Sequence, residues 1–198
     1  VEHVVRALTP CLEAGTAREP GDWPDLLRRA FLEAQEAVRI AGRVRGVPGG
    51  IGTTLVAAVT TARRAHICHV GDVRAYHWRR GALTRLTDDH SVVFDAVRAG
   101  TLTVEQARAH PRRNLVTQAV GLAEGIDPTT TTASIALGDL LLLCSDGLWE
   151  TLSEAELSAM LDGEGAPRVI AESLLARALD AGGPDNVSVV VYRHGKAW

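Results

Sequence analysis

The sequence has few cysteines, little net charge and no long apolar run, and each shortage excludes a class of protein. Cys11, Cys68 and Cys144 are odd in number and widely spaced, which excludes a disulfide framework and indicates reduced thiols. The 21 basic and 24 acidic residues are interspersed, so the chain has no basic stripe for nucleic acid. Apolar blocks such as Leu140–Cys144 are far too short to cross a bilayer. We therefore expect a cytoplasmic globular domain with no nucleic-acid partner and no membrane segment within these 198 residues.

The length and the first residue bear on domain organisation. With 198 residues, the chain is long enough for one well-buried domain and short for two, so we expect residues 1–198 to form a single domain. The chain opens on Val1, in the middle of a helical pattern, and its only methionine is Met160. We therefore expect the native start to lie upstream.

Hydrophobic spacing predicts the order of helices and strands. Helices are predicted at 1–12, 24–41, 91–99, 103–110, 153–161 and 167–181, two of them opening with capping-box spacing. Strands are predicted at 53–61, 65–70, 73–78, 82–86, 140–144 and 187–192, with further β-type sequence at 114–121 and 129–137. The two-residue link Gly71-Asp72 predicts a hairpin, and the continuous apolar run at 140–144 predicts a buried central strand. Because short hairpin links dominate, the pattern favours an α+β fold with antiparallel sheets.

Two aspartates flank two of the predicted strands. Asp146 directly follows the buried strand and precedes Gly147, whereas Asp185 precedes the last strand and follows Gly-Gly-Pro. If these strands pair antiparallel, both carboxylates emerge at one end of the sheet, with glycines leaving room for an ion. Paired carboxylates without His or Cys suit Mg²⁺ or Mn²⁺. The alternative is that each Asp is a turn former, and the same choice applies to Asp72.

Other polar residues give weaker indications of chemistry. His66 and His69, three apart on a strand, point to opposite faces and are expected to be packing residues rather than a metal pair. Ser145 lacks the Gly-x-Ser-x-Gly context of a serine nucleophile. A haloacid-dehalogenase-type site would need a nucleophilic Asp at Cys144. The glycine-rich stretch 46–52 lacks the Gly-Lys-Ser/Thr of a P-loop and is interpreted as a connector.

Six blocks, in this order, resemble the motifs of the protein phosphatase 2C family. They are Ile51-Gly-Thr-Thr-Leu55; His69-Val-Gly-Asp-Val-Arg-Ala-Tyr76; Leu86-Thr-Asp-Asp-His-Ser91; Pro111-Arg-Arg-Asn-Leu115 running to Gly121; Gly138 to Trp149, which includes Cys-Ser-Asp-Gly; and Gly182-Gly-Pro-Asp-Asn-Val187. Together they cover residues 51–191. Their order and number favour a functional reading of Asp146 and Asp185 over the turn-former reading.

The resemblance implies a fold and an activity. The fold would be two packed antiparallel sheets flanked by helices, an α-β-β-α sandwich, with residues 91–113 forming a flap. Asp146 and Asp185 would be the catalytic metal ligands of one ion in a two-metal Mn²⁺ or Mg²⁺ centre, and Asp72 would help to hold a third ion. Asn186 and Gly147 would support these ligands. The activity would be that of a bacterial-type signalling phosphatase, which hydrolyses phosphoserine and phosphothreonine in proteins through a metal-activated water.

The sequence departs from the family pattern in two places. Val73 stands where the family usually has serine, a change expected to be tolerated because Asp72 and Arg74 remain. Residues 1–50 contain no phosphate-binding arginine with a nearby acidic residue and no Asp-Gly-x-Gly-Gly block. We expect these motifs upstream, and expect residues 1–198 alone to be inactive or nearly so. The alternative function is a non-catalytic phosphatase-like module that binds or regulates a phosphoprotein.

Overall fold

A computed structural model of the protein describes residues 22–122, 125–163, 165–183 and 185–195. The elements in these ranges are α1 (Asp22–Val44), β1 (Leu55–Thr60), β2 (Arg64–Val70), β3 (Arg74–Arg79), β4 (Ala82–Arg85), α2 (Val92–Arg98), α3 (Val104–Arg108), β5 (Thr129–Ser134), β6 (Leu140–Cys144), α4 (Asp146–Trp149), α5 (Glu154–Leu161), α6 (Pro167–Asp180) and β7 (Val189–Arg193). One sheet has the order β1-β2-β5 and the other β4-β3-β6-β7. The predicted α+β class is confirmed. The helix predicted at 1–12, together with Cys11, lies outside the described residues.

The described chain divides into two compact units, each with its own core. The first runs to Val59 and includes His66–Asp72 and Asp88–Thr131. Its core pairs an apolar stripe of α1 (Leu27, Ala30, Phe31 and Ala34) with side chains of β1 and β2 (Leu55, Val59, Cys68 and Val70). Each large side chain buried in this way stabilises the fold by about 1.5–3 kcal/mol. The predicted second helix is confirmed as α1.

The second unit contains Thr60–Ala65, Val73–Thr87 and the chain from Thr132 onward. Strand β6 lies between β3 and β7 and pairs antiparallel with both, and four of its five residues are buried. Its apolar side chains pack with residues of the helices that follow, including Leu148, Leu157 and Leu174. The predicted buried central strand is therefore confirmed.

Helix beginnings agree with the sequence pattern. Thr103 caps α3 and Ser153 caps α5, each with a complete capping box. Ser91 caps α2 through a bond from the backbone N–H of Phe94. Residues 91–113 thus contain two short helices, as predicted, while their role as a flap stays a prediction. Among the described helices, none has the length and apolar character that crossing a bilayer requires.

The hairpin predicted at Gly71-Asp72 is wrong. Strand β2 belongs to the three-stranded sheet and β3 to the four-stranded sheet, where β4 and β6 occupy both edges of β3. Gly71 does have the positive φ expected of a turn, 97°, but the turn leads from one sheet to the other. A Cβ on Gly71 would lie 2.3 Å from a side-chain carbon of Thr54, which explains why glycine stands here.

Two strand predictions need smaller corrections. Residues 114–121 form no strand and contribute only isolated bridges, which pair Val116 with Ser91 and Val120 with Thr53. The last strand was predicted from Val187 but begins at Val189. The backbone N–H of Ser188 donates to the side-chain hydroxyl of Ser145. This N–H therefore makes no backbone bond of the strand ladder, and the strand begins one residue later.

Asp139, in the Gly138-Asp139 block, anchors the beginning of β6. Its carboxylate accepts hydrogen bonds from the Arg79 guanidinium, the His77 ring and the backbone N–H of Ala136. Burial alone would raise the pKa of Asp139, but these donors, Arg79 foremost, outweigh it and lower the pKa to about 2. The carboxylate therefore stays ionised and holds one end of the strand whose other end precedes Asp146.

Candidate metal centre

Asp146 follows β6 and is the first residue of α4. Its Oδ1 accepts a hydrogen bond of 2.9 Å from the backbone N–H of Gly147. Burial raises the pKa of Asp146, and the negative charge of Asp185 raises it further, against the opposing effect of the Gly147 N–H. The sheet thus ends in a half-buried carboxylate that is influenced by a second one.

Asp185 precedes β7 in an exposed loop. Its Oδ1 accepts a hydrogen bond of 2.6 Å from the backbone N–H of Asn186. Both aspartates therefore bind the N–H of the residue that follows through one carboxylate oxygen. This local bond restricts the rotation of each carboxylate.

The pairing of β6 with β7 brings Asp146 and Asp185 to the same end of the sheet. The strands are antiparallel, and Cys144 is opposite Val189, so the end of β6 is beside the beginning of β7. The pairing continues one step further, because the Ser145 N–H donates to the Ser188 carbonyl at 3.1 Å. The antiparallel arrangement assumed from the sequence is observed.

Gly147 allows the two loops to approach closely. A Cβ at this position would lie 2.5 Å from the carbonyl oxygen of Asn186 and 3.1 Å from its carbonyl carbon. Real Cβ atoms essentially never come that close, so any larger residue would push the Asp185-Asn186 loop away. The structure thus gives Gly147 a steric role beside the two aspartates.

Asp72 lies in the turn after β2 and belongs to the first compact unit, whereas Asp146 and Asp185 belong to the second. Its side chain is buried, with 8% of its surface exposed. The described residues include no group of three or more His, Cys, Asp and Glu side chains placed to hold a metal. Of the predicted ligands, Asp146 and Asp185 lie at the same end of the sheet, and all three stay predicted ligands.

Arg74 lies against Trp149, a contact that the sequence pattern did not reveal. The guanidinium carbon is 3.4 Å from the centre of the indole ring, the geometry of a cation–π interaction. Helix α4, which begins at Asp146, has only four residues and is too short to be stable alone. The contact fastens the last residue of this helix to the first residue of β3.

His69 and His90 form a stacked pair that sequence reasoning also missed. Their ring centres are 4.6 Å apart. Nδ1 of His90 accepts from the Gly71 N–H at 3.2 Å, and its Nε2 lies 2.9 Å from the hydroxyl of Thr129. A backbone N–H only donates, so Nδ1 is unprotonated and the ring is neutral with its proton on Nε2. The hydrogen bond from Gly71 to His90 stabilises the turn that contains Asp72.

We expect His90 to make the folded state sensitive to acid. Burial, and to a smaller extent the His69 ring, lower the pKa of His90 from 6.5 to about 4 against the opposing charges of Asp95, Asp127 and Asp89. Between pH 6.5 and about pH 4 the unfolded chain binds a proton at His90 that the folded chain excludes. The free energy of unfolding therefore falls as the pH drops. After allowance for solvent screening, we expect a loss of about 1–2 kcal/mol.

Urea unfolding at pH 7.5 and at pH 4.5 measures this effect. His90→Asn keeps an acceptor for the Gly71 N–H but does not titrate, so its loss of stability on acidification should be smaller than that of the wild type. His110→Asn is the matched control, because Nδ1 of His110 also accepts a backbone N–H, in a local turn. Equal acid sensitivity of His90→Asn and wild type would contradict the assignment.

Known proteins of related sequence share the family of this chain. A model of the family described as Protein phosphatase 2C matches residues 1–179. The serine/threonine phosphatase stp of Listeria monocytogenes is 33% identical over 176 residues, which cover 89% of this chain and 69% of that protein. The serine/threonine protein phosphatase PstP of Mycobacterium tuberculosis is 40% identical over 179 residues, which cover 87% of this chain and 34% of that protein.

Solved structures show the same likeness. The crystal structure of Mycobacterium tuberculosis PstP has a TM-score of 0.83 at 34% identity and covers 98% of this chain and 80% of that one. The catalytic domain of PstP in complex with two manganese ions has a TM-score of 0.73 at 34% identity and covers 96% and 80%. Fold and relatives define a metal-dependent protein serine/threonine phosphatase. The chain belongs to the protein phosphatase 2C family, as its motifs indicated, and the non-catalytic alternative is not favoured.

Proposed function

We propose that Asp146 and Asp185 are ligands of one Mn²⁺ or Mg²⁺ ion in a two-metal phosphatase centre, and that Asp72 helps to hold a further ion. The observation that carries the proposal is the antiparallel register of β6 and β7, with Cys144 opposite Val189. In this register the end of β6, which precedes Asp146, is beside the beginning of β7, which follows Asp185. The effect of the Asp185 charge on the pKa of Asp146 supports their proximity.

The chemistry of the two side chains fits a hard divalent cation. Carboxylate oxygens are the ligands that Mg²⁺ and Mn²⁺ prefer. Within the described part of the chain, neither Asp146 nor Asp185 forms an ion pair with a basic side chain. Burial and mutual repulsion raise the pKa of Asp146, which means that its ionised form is costly there. A bound cation would offset this cost.

The remaining groups of the site would orient the ligands. Each carboxylate has one oxygen bound to the next N–H, from Gly147 or Asn186, which leaves its second oxygen for the ion. When bound, the two ions would supply charge stabilisation to the phosphoryl oxygens and lower the pKa of the attacking water. No covalent bond between enzyme and substrate is required by this arrangement.

We further propose that the substrates are cytoplasmic proteins phosphorylated on serine or threonine. The names of the relatives, serine/threonine phosphatase stp and serine/threonine protein phosphatase PstP, support this substrate class. Cys68 and Cys144 are buried and form no disulfide within the described residues, which is typical of proteins from a reducing compartment. Asn186 and Gly147 are proposed to support the metal ligands without binding the ion.

The test of the proposed function is release of phosphate from matched phosphopeptides by the full-length protein with Mn²⁺. We expect release from peptides that carry phosphoserine or phosphothreonine, and much slower release from the same peptide with phosphotyrosine. A phosphoprotein-binding module would instead retain the peptide without releasing phosphate. Binding without release in a preparation that has been shown to bind Mn²⁺ would contradict the enzymatic proposal.

A further inference from the structure

Ser145, the residue before Asp146, is hydrogen-bonded to the segment that follows Asp185. Its hydroxyl donates to the Asn186 carbonyl at 3.1 Å and accepts from the Ser188 N–H at 3.0 Å. Its own N–H donates to the Ser188 carbonyl at 3.1 Å. One residue thus makes three hydrogen bonds to the segment that follows Asp185.

The ordinary role of a serine at this position is helix capping, and Ser145 does not fill it. It is the N-cap residue of α4, where a serine hydroxyl usually accepts a bond from a backbone N–H of the first helical turn. Here the hydroxyl makes no capping bond. Both of its hydrogen bonds cross to the other strand end instead. The side chain is therefore used to join two loops and not to begin a helix.

The hydrogen bonds of Ser145 connect segments that carry the two predicted metal ligands. Ser145 immediately precedes Asp146, and Asn186 immediately follows Asp185. The regular pairing of β6 and β7 ends at Cys144 and Val189. One backbone bond, from the Ser145 N–H to the Ser188 carbonyl, extends this pairing, and the hydroxyl adds two more hydrogen bonds between the same segments. These bonds hold the residue before Asp146 against the residue after Asp185.

We propose that Ser145 is a positioning residue, whose hydroxyl sets the separation of the Asp146 and Asp185 carboxylates for a divalent metal ion. The inference rests on the proposed metal-binding role of those two aspartates. Asn186 and Ser188 are exposed, so water can replace the hydroxyl as their partner when it is removed. Loss of the hydroxyl therefore loosens the loop with little cost to the fold.

The test uses the full-length protein and three variants, Ser145→Ala, Ser145→Thr and Ser158→Ala. Threonine keeps the hydroxyl and alanine removes it. Ser158 is the matched control, because its hydroxyl also donates to a backbone carbonyl, that of Gly81, in a different part of the unit. Mn²⁺ binding is measured by calorimetry, Mn²⁺ dependence by activity, and stability by urea unfolding.

We expect Ser145→Ala to bind Mn²⁺ at least tenfold more weakly, within the 10–100-fold range typical for outer partners of metal ligands. Its kcat at saturating Mn²⁺ and its unfolding midpoint should stay close to the wild type. Ser145→Thr should recover most of the Mn²⁺ affinity, and Ser158→Ala should match the wild type. A role confined to fold stability would move the unfolding midpoint and leave the Mn²⁺ dependence of the folded protein unchanged.

The outcomes separate this inference from the proposed function. Suppose that Asp185→Asn loses Mn²⁺ binding, as the proposed function requires. The positioning role alone would then be overturned if Ser145→Ala bound Mn²⁺ as tightly as the wild type. Equal losses of affinity in Ser145→Ala and Ser145→Thr would overturn it as well. Equal Mn²⁺ binding by wild type and Asp185→Asn would overturn the metal-site assignment, and the inference with it.

Discussion

Replacement of Asp185 by asparagine in the full-length phosphatase is expected to lower kcat/KM for a phosphothreonine peptide by roughly 10³-fold at saturating Mn²⁺, and Asp146→Asn should do the same. Metal ions contribute several kcal/mol of charge stabilisation to phosphoryl transfer, and about 1.4 kcal/mol corresponds to a tenfold change in rate. Asparagine has the shape of aspartate without its charge. The variants therefore remove the proposed ligand charge with little change in packing.

The control for this experiment is Asp180→Asn, which makes the same chemical change at the exposed end of α6. Its activity should equal that of the wild type. Treatment of the wild type with a chelator should reproduce the loss seen in the two variants, and added Mn²⁺ should restore only the wild-type enzyme. Near-normal turnover by Asp185→Asn would show that the Gly-Pro-Asp-Asn motif has been misread.

The second large effect is expected from Gly147→Ala. The new methyl carbon would be 2.5 Å from the Asn186 carbonyl oxygen and 3.2 Å from a methyl carbon of Val187, so the loop that carries Asp185 must move. A displacement of about 1 Å at a catalytic site can lower a rate by about 10²-fold. Overpacking of this kind also destabilises a fold by about 1–3 kcal/mol.

Measurement of kcat, Mn²⁺ affinity and urea midpoint separates the two consequences of Gly147→Ala. Gly163→Ala is the matched control, because its new Cβ would make only an ordinary contact of 3.5 Å with the Met160 carbonyl. We expect the control to keep both activity and Mn²⁺ affinity. Full activity in Gly147→Ala would mean that the close approach to Asn186 has no part in holding the carboxylates.

The sequence could predict the end of the sheet that carries the aspartates, because the pattern there is local and unambiguous. The apolar run Leu140–Cys144 has the length of a strand and lies between the turn signals Gly138-Asp139 and Asp146-Gly147, which together favour a buried strand over a buried helix. The aspartate positions beside it then depended only on how β6 and β7 pair. Antiparallel pairing, once assumed, placed Asp146 and Asp185 together.

The features that sequence reasoning missed depend on contacts between distant segments. The link Gly71-Asp72 has the length and glycine of a hairpin, but whether β3 pairs with β2 depends on β4 and β6, which compete for its edges. The same holds for His90, whose partners His69 and Thr129 are brought near it by the fold. Local propensity carries no information on such competition.

Ser145 shows a third limit of the sequence pattern. Its context argued against a serine nucleophile, and the sequence pattern predicted no helix directly after it. The hydrogen bonds to Asn186 and Ser188 appear only when the two strand ends lie side by side. The sequence pattern therefore gave Ser145 no role in joining the two loops.

The most direct test of the metal-centre assignment is a crystal structure of the full-length protein grown with Mn²⁺, with data collected at the manganese absorption edge. We expect an anomalous peak bound by oxygens of both Asp146 and Asp185 at about 2.0–2.6 Å, the usual range for hard divalent cations. Carboxylates more than about 8 Å apart could not share one ion at such distances. A manganese peak elsewhere, with Asp146 and Asp185 both unbound, would contradict the account.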